Sequence, residues 1–548
     1  VILALTLRRR AADILQSVRE GIPVHGRSGS IHRLFAEFDR EVLMPLPLRS
    51  SPGQVSLRRV FPQASFVGCF DIAVSDASED SRRAGPGCLF AVIHGTKADG
   101  TAFVKDALGR GCPALLCDRP LAEFHVPQCI VPDVRVALAR LSEALYGYPA
   151  AKLTLAAVTG TNGKTTTTWL IRSILQAAGI NCGLLGTIKY SDGQYSEPAS
   201  MTTPEARTLF RWFRRMVEAR CTHAVLELSS HALHQRRIFG TPLAAAVITN
   251  ITQDHFDYHG SFDAYLAAKS MILDYVVPAG CIVICQDDPG SRQLIPKARA
   301  TGRRVLTYSI ADEADVRAEI LDETLKGTRF RLLFSDSAFE LTTELPGRHN
   351  IQNCLAAAAV ARHFGIADAD IASGLEQTHC VPGRLERVDC GQPFEVLVDY
   401  AHTDDALRRV IDSTQAVTPG RVICVFGAGG DRDRTKRPKM ALAASQADLV
   451  VVTSDNPRTE HPQSIIEEIL AGFPLGFTGL HIEPDRRRAI DFALGEARPG
   501  DCVLIAGKGH ETEQIVGQET FTFDDRQVAR ELLTARLPRG MTTPARSS

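Results

Sequence analysis

Between residues 61 and 150, short apolar runs at 89–93, 114–117 and 128–131 alternate with longer stretches of helical periodicity at 102–108 and 134–146. Brief apolar runs bounded by polar turns suit strands buried on both faces, and the longer stretches suit the helices that carry the chain back. The alternation resumes at Lys152, with strand patterns at 153–158, 224–228, 244–249 and 281–285, and again after Gly383-Arg384, at 395–398, 422–426, 449–453 and 502–506. Strands separated by helices build parallel sheets. The pattern therefore predicts an α/β protein of three domains in series: 61–150, 151–383 and 384–548. Residues 1–60 stand apart. They are rich in arginine and leucine, end near the turn-like Arg49-Ser50-Ser51-Pro52-Gly53, and read as an extension with no assigned chemistry.

Length supports the division, because 548 residues exceed the roughly 250–300 that one core accommodates. A net charge of −1 gives no global attraction to nucleic acid or an anionic membrane, so neither is an expected partner. No apolar run reaches the roughly 18–20 residues of a membrane span, and membrane insertion is not expected. The run 1–7 precedes Arg8-Arg9-Arg10, the reverse of a secretory signal, and a start at Val1 suggests an unusual start codon or a clipped terminus. The 14 cysteines are scattered without a C-x-x-C pair, and Cys281 and Cys285 fall in one apolar run. They read as buried thiols of a reducing cytoplasm.

Chemistry enters at Gly160-Thr161-Asn162-Gly163-Lys164-Thr165-Thr166, between the run 153–158 and a helix-like segment at 169–178. A glycine turn feeding a helix N-terminus points backbone N–H groups at an anion. Lys164 adds a point charge for terminal phosphates, and Thr165 is placed to offer its hydroxyl to Mg²⁺. The two residues between the glycines, against four in the usual phosphate loop, mark a distinct variant. Two further strands end in polar clusters: Glu227-Leu228-Ser229-Ser230-His231 and Asn250-Ile251-Thr252-Gln253-Asp254-His255-Phe256-Asp257-Tyr258-His259-Gly260. Each alone suits a capped turn. Together, at the carboxyl ends of strands behind a phosphate loop, they suit a metal and ligand site, although Mg²⁺ prefers oxygen to imidazole.

The phosphate loop, the Glu-x-Ser-Ser-His stretch and the Asp254-His255…His259 run resemble the Mur ligase family, which builds the peptidoglycan stem peptide by ATP-driven amide formation. The resemblance covers roughly 70–535. It implies an N-terminal uridine-nucleotide domain, a central ATPase-like parallel sheet and a C-terminal Rossmann-like domain. It implies ATP contacts at Gly160, Thr161, Asn162, Gly163, Lys164, Thr165, Thr166, Asn353, Arg384 and the ribose-binding Asp399. Ser81, Thr202, Thr203, Ser229 and Arg237 match positions that contact the UDP-muramoyl dipeptide. Thr165, Glu227, His255 and Lys269 match the metal-binding positions, Lys269 as a carbamate formed with CO₂, and Lys164, Lys269 and His255 are the implied catalytic group. The pattern is closest to the branch adding meso-diaminopimelate to UDP-N-acetylmuramoyl-L-alanyl-D-glutamate, through Asp455-Asn456-Pro457-Arg458, Arg432, Gly507 and Glu511. There Arg458 would grip the distal carboxylate, which L-lysine lacks, and Glu511 would pair with the distal ammonium. Three residues depart from the common pattern: Asp404 in place of a proline, implying a looser turn, and Thr512 and Glu513 after Glu511. Family behaviour implies a cytoplasmic monomer whose domains close on substrates.

The implied reaction activates a carboxylate as an acyl phosphate, which an amine then attacks, with positioning and charge neutralisation supplying most of the acceleration. Ser229, Ser230 and His231 need form no hydrolase triad. Three rivals remain at this level: a folylpolyglutamate synthetase, which normally lacks the N-terminal domain and the Asp-Asn-Pro-Arg motif; an ATPase or kinase; and a non-catalytic nucleotide-binding scaffold.

Overall fold

The structure, a computed structural model, describes residues 53–95 and 98–536. The chain before residue 53, which holds most of the predicted extension, and the tail 537–548 lie outside the described residues.

Ser56 accepts a hydrogen bond from the Arg59 N–H and caps a short helix, α1 (Leu57–Val60). Leu57 is buried, its N–H on the Ile72 carbonyl. Residues 56–60 thus join the domain expected to begin at 61, held by one buried leucine that no composition shift announces. The sheet of this domain contains β1 (Ser65–Val67), β2 (Asp76–Ser78), β3 (Cys88–Ala91), β4 (Ala114–Cys117) and β5 (Gln128–Ile130), in the order β1-β5-β4-β3-β2 with only β1 antiparallel. The helical stretches become α2 (Val104–Gly109) and α3 (Val134–Leu145), the latter capped by Asp133, which accepts from the Arg135 and Val136 N–H groups.

The central domain is built on β6 (Thr154–Thr159), which feeds α4 (Lys164–Ala177). Then follow β7 (Cys182–Leu185), β8 (Lys189–Ser191), β9 (Ser196–Pro198), β10 (His223–Glu227), β11 (Leu243–Ile248), β12 (Val276–Cys285), β13 (Arg304–Ser309), β14 (Val316–Thr324), β15 (Gly327–Leu333) and β16 (Ala338–Thr343). They form one eleven-stranded sheet in the order β9-β8-β7-β10-β6-β11-β12-β13-β14-β15-β16. The β6 strand lies parallel between β10 and β11, so the phosphate loop opens between the two polar clusters. One face packs against α4 and the alanine-rich α5 (Arg348–His363), and the other against Phe210, Trp212 and Phe213. The antiparallel edge β14–β16 escaped the apolar pattern because its strands alternate buried and exposed residues, with charged cross-strand pairs such as Arg331 with Glu319 and Glu340 on the wet side.

The third domain contains β17 (Glu386–Arg387), β18 (Glu395–Asp399), β19 (Val422–Phe426), β20 (Leu449–Val452), β21 (Leu480–Ile482) and β22 (Cys502–Ala506), in the order β17-β18-β22-β19-β20-β21 with only β17 antiparallel. A hairpin, β23 (Glu513–Val516) with β24 (Glu519–Thr522), follows. Cys281 and Cys285 are buried free thiols, pushed up to about 12 and about 11 by burial. Among the described residues no helix is long and apolar enough to cross a membrane.

Candidate active site

The phosphate loop is held by side chains that close on its backbone. Gly160 (φ 154°) and Gly163 (φ 82°) adopt conformations that L side chains rarely take. A Cβ on Gly160 would overlap Thr249 Oγ1, and one on Gly163 would lie 2.5 Å from Asn353 Oδ1. The Asn162 N–H donates to Asn250 Oδ1 at 2.8 Å, and Thr249 Oγ1 donates to the Asn162 carbonyl at 2.6 Å. Lys164 Nζ folds back onto the carbonyls of Gly160 and Thr161, both at 2.9 Å. Burial holds this ammonium below its ordinary value, against the pull of Glu227 and Asp254.

A cavity of about 270 Å³ opens over this loop. Its walls include Thr161 to Thr166, Thr202, Ser229, His255, Asn353, Arg384 and Asp399, so the central and third domains share it. Thr165 Oγ1 donates to Glu227 Oε2 at 3.0 Å and accepts from Arg384 Nη2 at 3.2 Å. Glu227, 1% exposed, also takes the Thr187 N–H at 2.8 Å and the Thr187 hydroxyl at 2.9 Å. Asp399 accepts from the Leu385 and Ala401 N–H groups, both at 2.7 Å, while burial raises its carboxyl. Arg384 lies 4.5 Å over the Tyr400 ring.

His255 takes a left-handed backbone (φ 54°) beside the Asp254 carboxylate, 3.3 Å away. Burial drives its imidazole down to about 3 against that carboxylate. Asp254 also meets Lys436 Nζ of the third domain at 2.7 Å, and Asp405 receives Asn162 Nδ2 at 3.1 Å and Thr252 Oγ1 at 3.0 Å. Lys269, 1% exposed, donates to the Gly160 carbonyl at 2.8 Å. Burial, helped by Lys164, holds its amine well below the lysine range. Thr203 Oγ1 donates to the Glu227 carbonyl and accepts from the Ser229 N–H, and Arg237 donates to the Thr203 carbonyl at 2.7 Å. Ser81 lies in the first domain, away from these cavity walls, and bonds Asp106.

The second cluster gathers where β20 and β22 end. Arg458 (φ 51°) donates from Nη1 to the Gly430 carbonyl at 2.8 Å. Burial first, and then the neighbouring Arg432, lower its guanidinium. A half-buried guanidinium beside an exposed second one marks a place for an anion. Asp455 and Gly507 adjoin, since a Cβ on Gly507 would approach Asp455 Oδ2 to 2.7 Å, and Pro457 leads into Arg458. Glu511 also has partners within the protein. Its carboxylate already receives Asn456 Nδ2 at 2.9 Å and the buried Lys508 Nζ at 3.3 Å, a partner the motif contains but its spacing does not reveal. Glu513 lends its backbone carbonyl to Lys508 at 2.6 Å and Thr512 lends its own to the Phe523 N–H, contacts that any residue could make, so nothing in the structure explains the two departures. Asp404 does not loosen its turn. It opens α6 (Asp404–Gln415), where Thr403 caps the Ala406 N–H and an acidic first turn suits the helix dipole. The sequence reading gave no role to Thr187, Asp405, Lys436, Lys508 and His510; Thr187, Asp405 and Lys436 act through partners distant in the chain.

A phosphate loop at the centre of a parallel sheet, roofed by a Rossmann-like domain with its own charged cluster, defines a multidomain nucleotide-dependent enzyme. The Mur ligase middle domain matches residues 158–361, and the Mur ligase glutamate ligase domain matches 383–509. The UDP-N-acetylmuramoyl-L-alanyl-D-glutamate–2,6-diaminopimelate ligase of Gloeobacter violaceus is 46% identical over 474 residues, 86% of this chain and 96% of that protein. The protein of the same name from Geobacillus thermodenitrificans is 44% identical over 465 residues, 83% of this chain and 94% of its own. A solved structure with that ligase name is 31% identical and superposes with a TM-score of 0.62 over 88% of this chain and 99% of its own. The chain belongs to the Mur ligase family.

Proposed function

We propose that the protein is an ATP-dependent amide ligase joining meso-diaminopimelate to UDP-N-acetylmuramoyl-L-alanyl-D-glutamate in peptidoglycan synthesis. The observation that carries the substrate is the paired Arg432 and Arg458 beside Asn456 and Glu511, together with the names of relatives that match nearly their whole length. A carboxylate is a poor acyl donor because its oxygen leaves badly. Phosphoryl transfer from ATP gives an acyl phosphate, the amine of diaminopimelate attacks its carbonyl carbon, and phosphate departs.

In this reading Gly160 to Thr166 cradle the triphosphate, Lys164 and Arg384 neutralise the transferring phosphoryl group, and Asn353 and Asp399 hold the nucleoside. Ser81, Thr202, Thr203, Ser229 and Arg237 receive the UDP-linked acceptor. Asp455, Asn456, Pro457, Gly507 and Glu511 shape the diaminopimelate pocket around the two arginines. The Thr165 hydroxyl and Glu227 carboxylate, 3.0 Å apart, fit Mg²⁺, which takes few protein oxygens and completes its shell with phosphate and water. Mg²⁺ there would supply Lewis-acid neutralisation of phosphate charge. His255 and Lys269 are the proposed ligands of a second ion. Lys269 fits the carbamate, because an uncharged buried amine is the form that adds CO₂. A ¹³C carbamate resonance after labelled bicarbonate, absent from Lys269→Ala, checks this without an assay of turnover. The protein acts as a cytoplasmic monomer in this reading, and light scattering checks its mass.

The deciding experiment is phosphate release measured with a panel of amino acids. Release that requires ATP, the UDP-muramoyl dipeptide and meso-diaminopimelate together supports the reading. Equal kcat/KM for L-lysine overturns the substrate, because a site built around the distal carboxylate leaves Arg458 unpaired when lysine binds. Release without the UDP-linked acceptor overturns the ligase.

A further inference from the structure

We propose that His510 is the residue that orients the attacking amino group, accepting a hydrogen bond from that amine at Nδ1. The inference rests on the amide-ligase reading above.

His510 lies between the two halves of the site. It follows Gly509, where a Cβ would meet both the Gly383 carbonyl oxygen and Tyr400 Cβ at 2.7 Å, and a Cβ on Gly383 would overlap the His510 nitrogen. The loop is thereby clamped onto the segment bearing Arg384, and Arg526 Nη2 secures the His510 carbonyl at 3.3 Å. On one side the imidazole packs 5.0 Å from the Tyr400 ring, over which Arg384 lies on its way to Thr165 of the phosphate loop. On the other side its chain neighbour is Glu511, fixed by Asn456 and Lys508 in the amino-acid cluster. The ring lies near the Thr187 backbone of the central domain, and Thr187 sits on Glu227 and on Thr202. The activated carboxyl and the incoming amine must meet between these groups.

Nδ1 of His510 is buried and has no hydrogen-bond partner among the described residues. An uncharged imidazole carries one N–H, which we assign to Nε2, leaving a lone pair at the unpartnered Nδ1. Burial, Arg384 and Arg526 hold the ring down to about 3, so it stays an uncharged acceptor at neutral pH. A free amine that donates one N–H to Nδ1 has its lone pair fixed toward the carbonyl carbon. The C–N bond forms as the C–O bond to phosphate breaks. The phosphate leaves with that electron pair and takes the amine's surplus proton. His510 ends the step unchanged.

The test uses the full chain, ATP and the UDP-muramoyl dipeptide, with either meso-diaminopimelate or hydroxylamine, a small nucleophile that traps the acyl phosphate as a hydroxamate without needing to be oriented. His510→Ala should slow amide formation roughly 10- to 100-fold while hydroxamate formation stays within about threefold. His510→Asn, whose amide falls near the Nδ1 position, should regain part of the loss, and His510→Gln, reaching toward Nε2, should not. Equal losses in both reactions, full ligation by His510→Ala, or better rescue by Gln than by Asn overturns the assignment. If His510→Ala does not fold, the Asn and Gln variants make the same comparison. An unmutated protein that gives neither amide nor hydroxamate counts against the ligase reading instead.

Discussion

The nucleotide cavity and the amino-acid cluster are built by different means. At the phosphate loop the fixed elements are backbone: two glycines in unusual conformations, a helix N-terminus, and the carbonyls of Gly160 and Thr161 under Lys164. At the amino-acid cluster they are side chains: Lys508 tying Asn456 and Glu511, and Arg458 near enough to Arg432 to feel its charge. The difference suits what the proposed function asks each half to recognise. A phosphate is met by any array of N–H groups, which a short contiguous motif supplies. A particular amino acid is met by charges at fixed separations, which three loops must bring together.

The first way to break this comparison is Lys164→Ala. It should lower kcat by about 10²-fold or more at saturating ATP while the melting temperature hardly moves; near-normal turnover would remove charge neutralisation from the loop. Next is Arg458→Ala, which should raise the KM for diaminopimelate roughly 100-fold and that for ATP less than about twofold. Arg458→Lys should recover little, because an ammonium cannot make the paired bonds of a guanidinium. If the two KM values rise together, the halves are not separable.

Gly163→Ala sharpens the backbone side. Its left-handed conformation and the 2.5 Å approach to Asn353 should cost about 1–2 kcal/mol in a urea melt. The smallest expected effect is Asp404→Pro. Proline is well tolerated in the first turn of a helix, so stability should change by less than about 0.5 kcal/mol and activity should stay the same.

The sequence alone located the half made of backbone. The strand 153–158, the glycine turn and the following helix are contiguous, and local geometry is set by local residues, so Thr154–Thr159 and Lys164–Ala177 lie within a few residues of their expected places. It also found the strands buried on both faces, including Ala114–Cys117, Val422–Phe426 and Cys502–Ala506, because continuous apolar runs are their own signal. The antiparallel edge at 316–343 was lost because strands with one wet face carry no such run. Only tertiary structure decided that the buried Lys508 reaches Asn456, that Asp405 and Lys436 reach back to Asn162 and Asp254, and that His510 keeps a nitrogen with no partner among the described residues between the two halves. Charge pairing and burial depend on which loops meet in space, and that is fixed by packing across the whole sheet instead of by spacing along the chain.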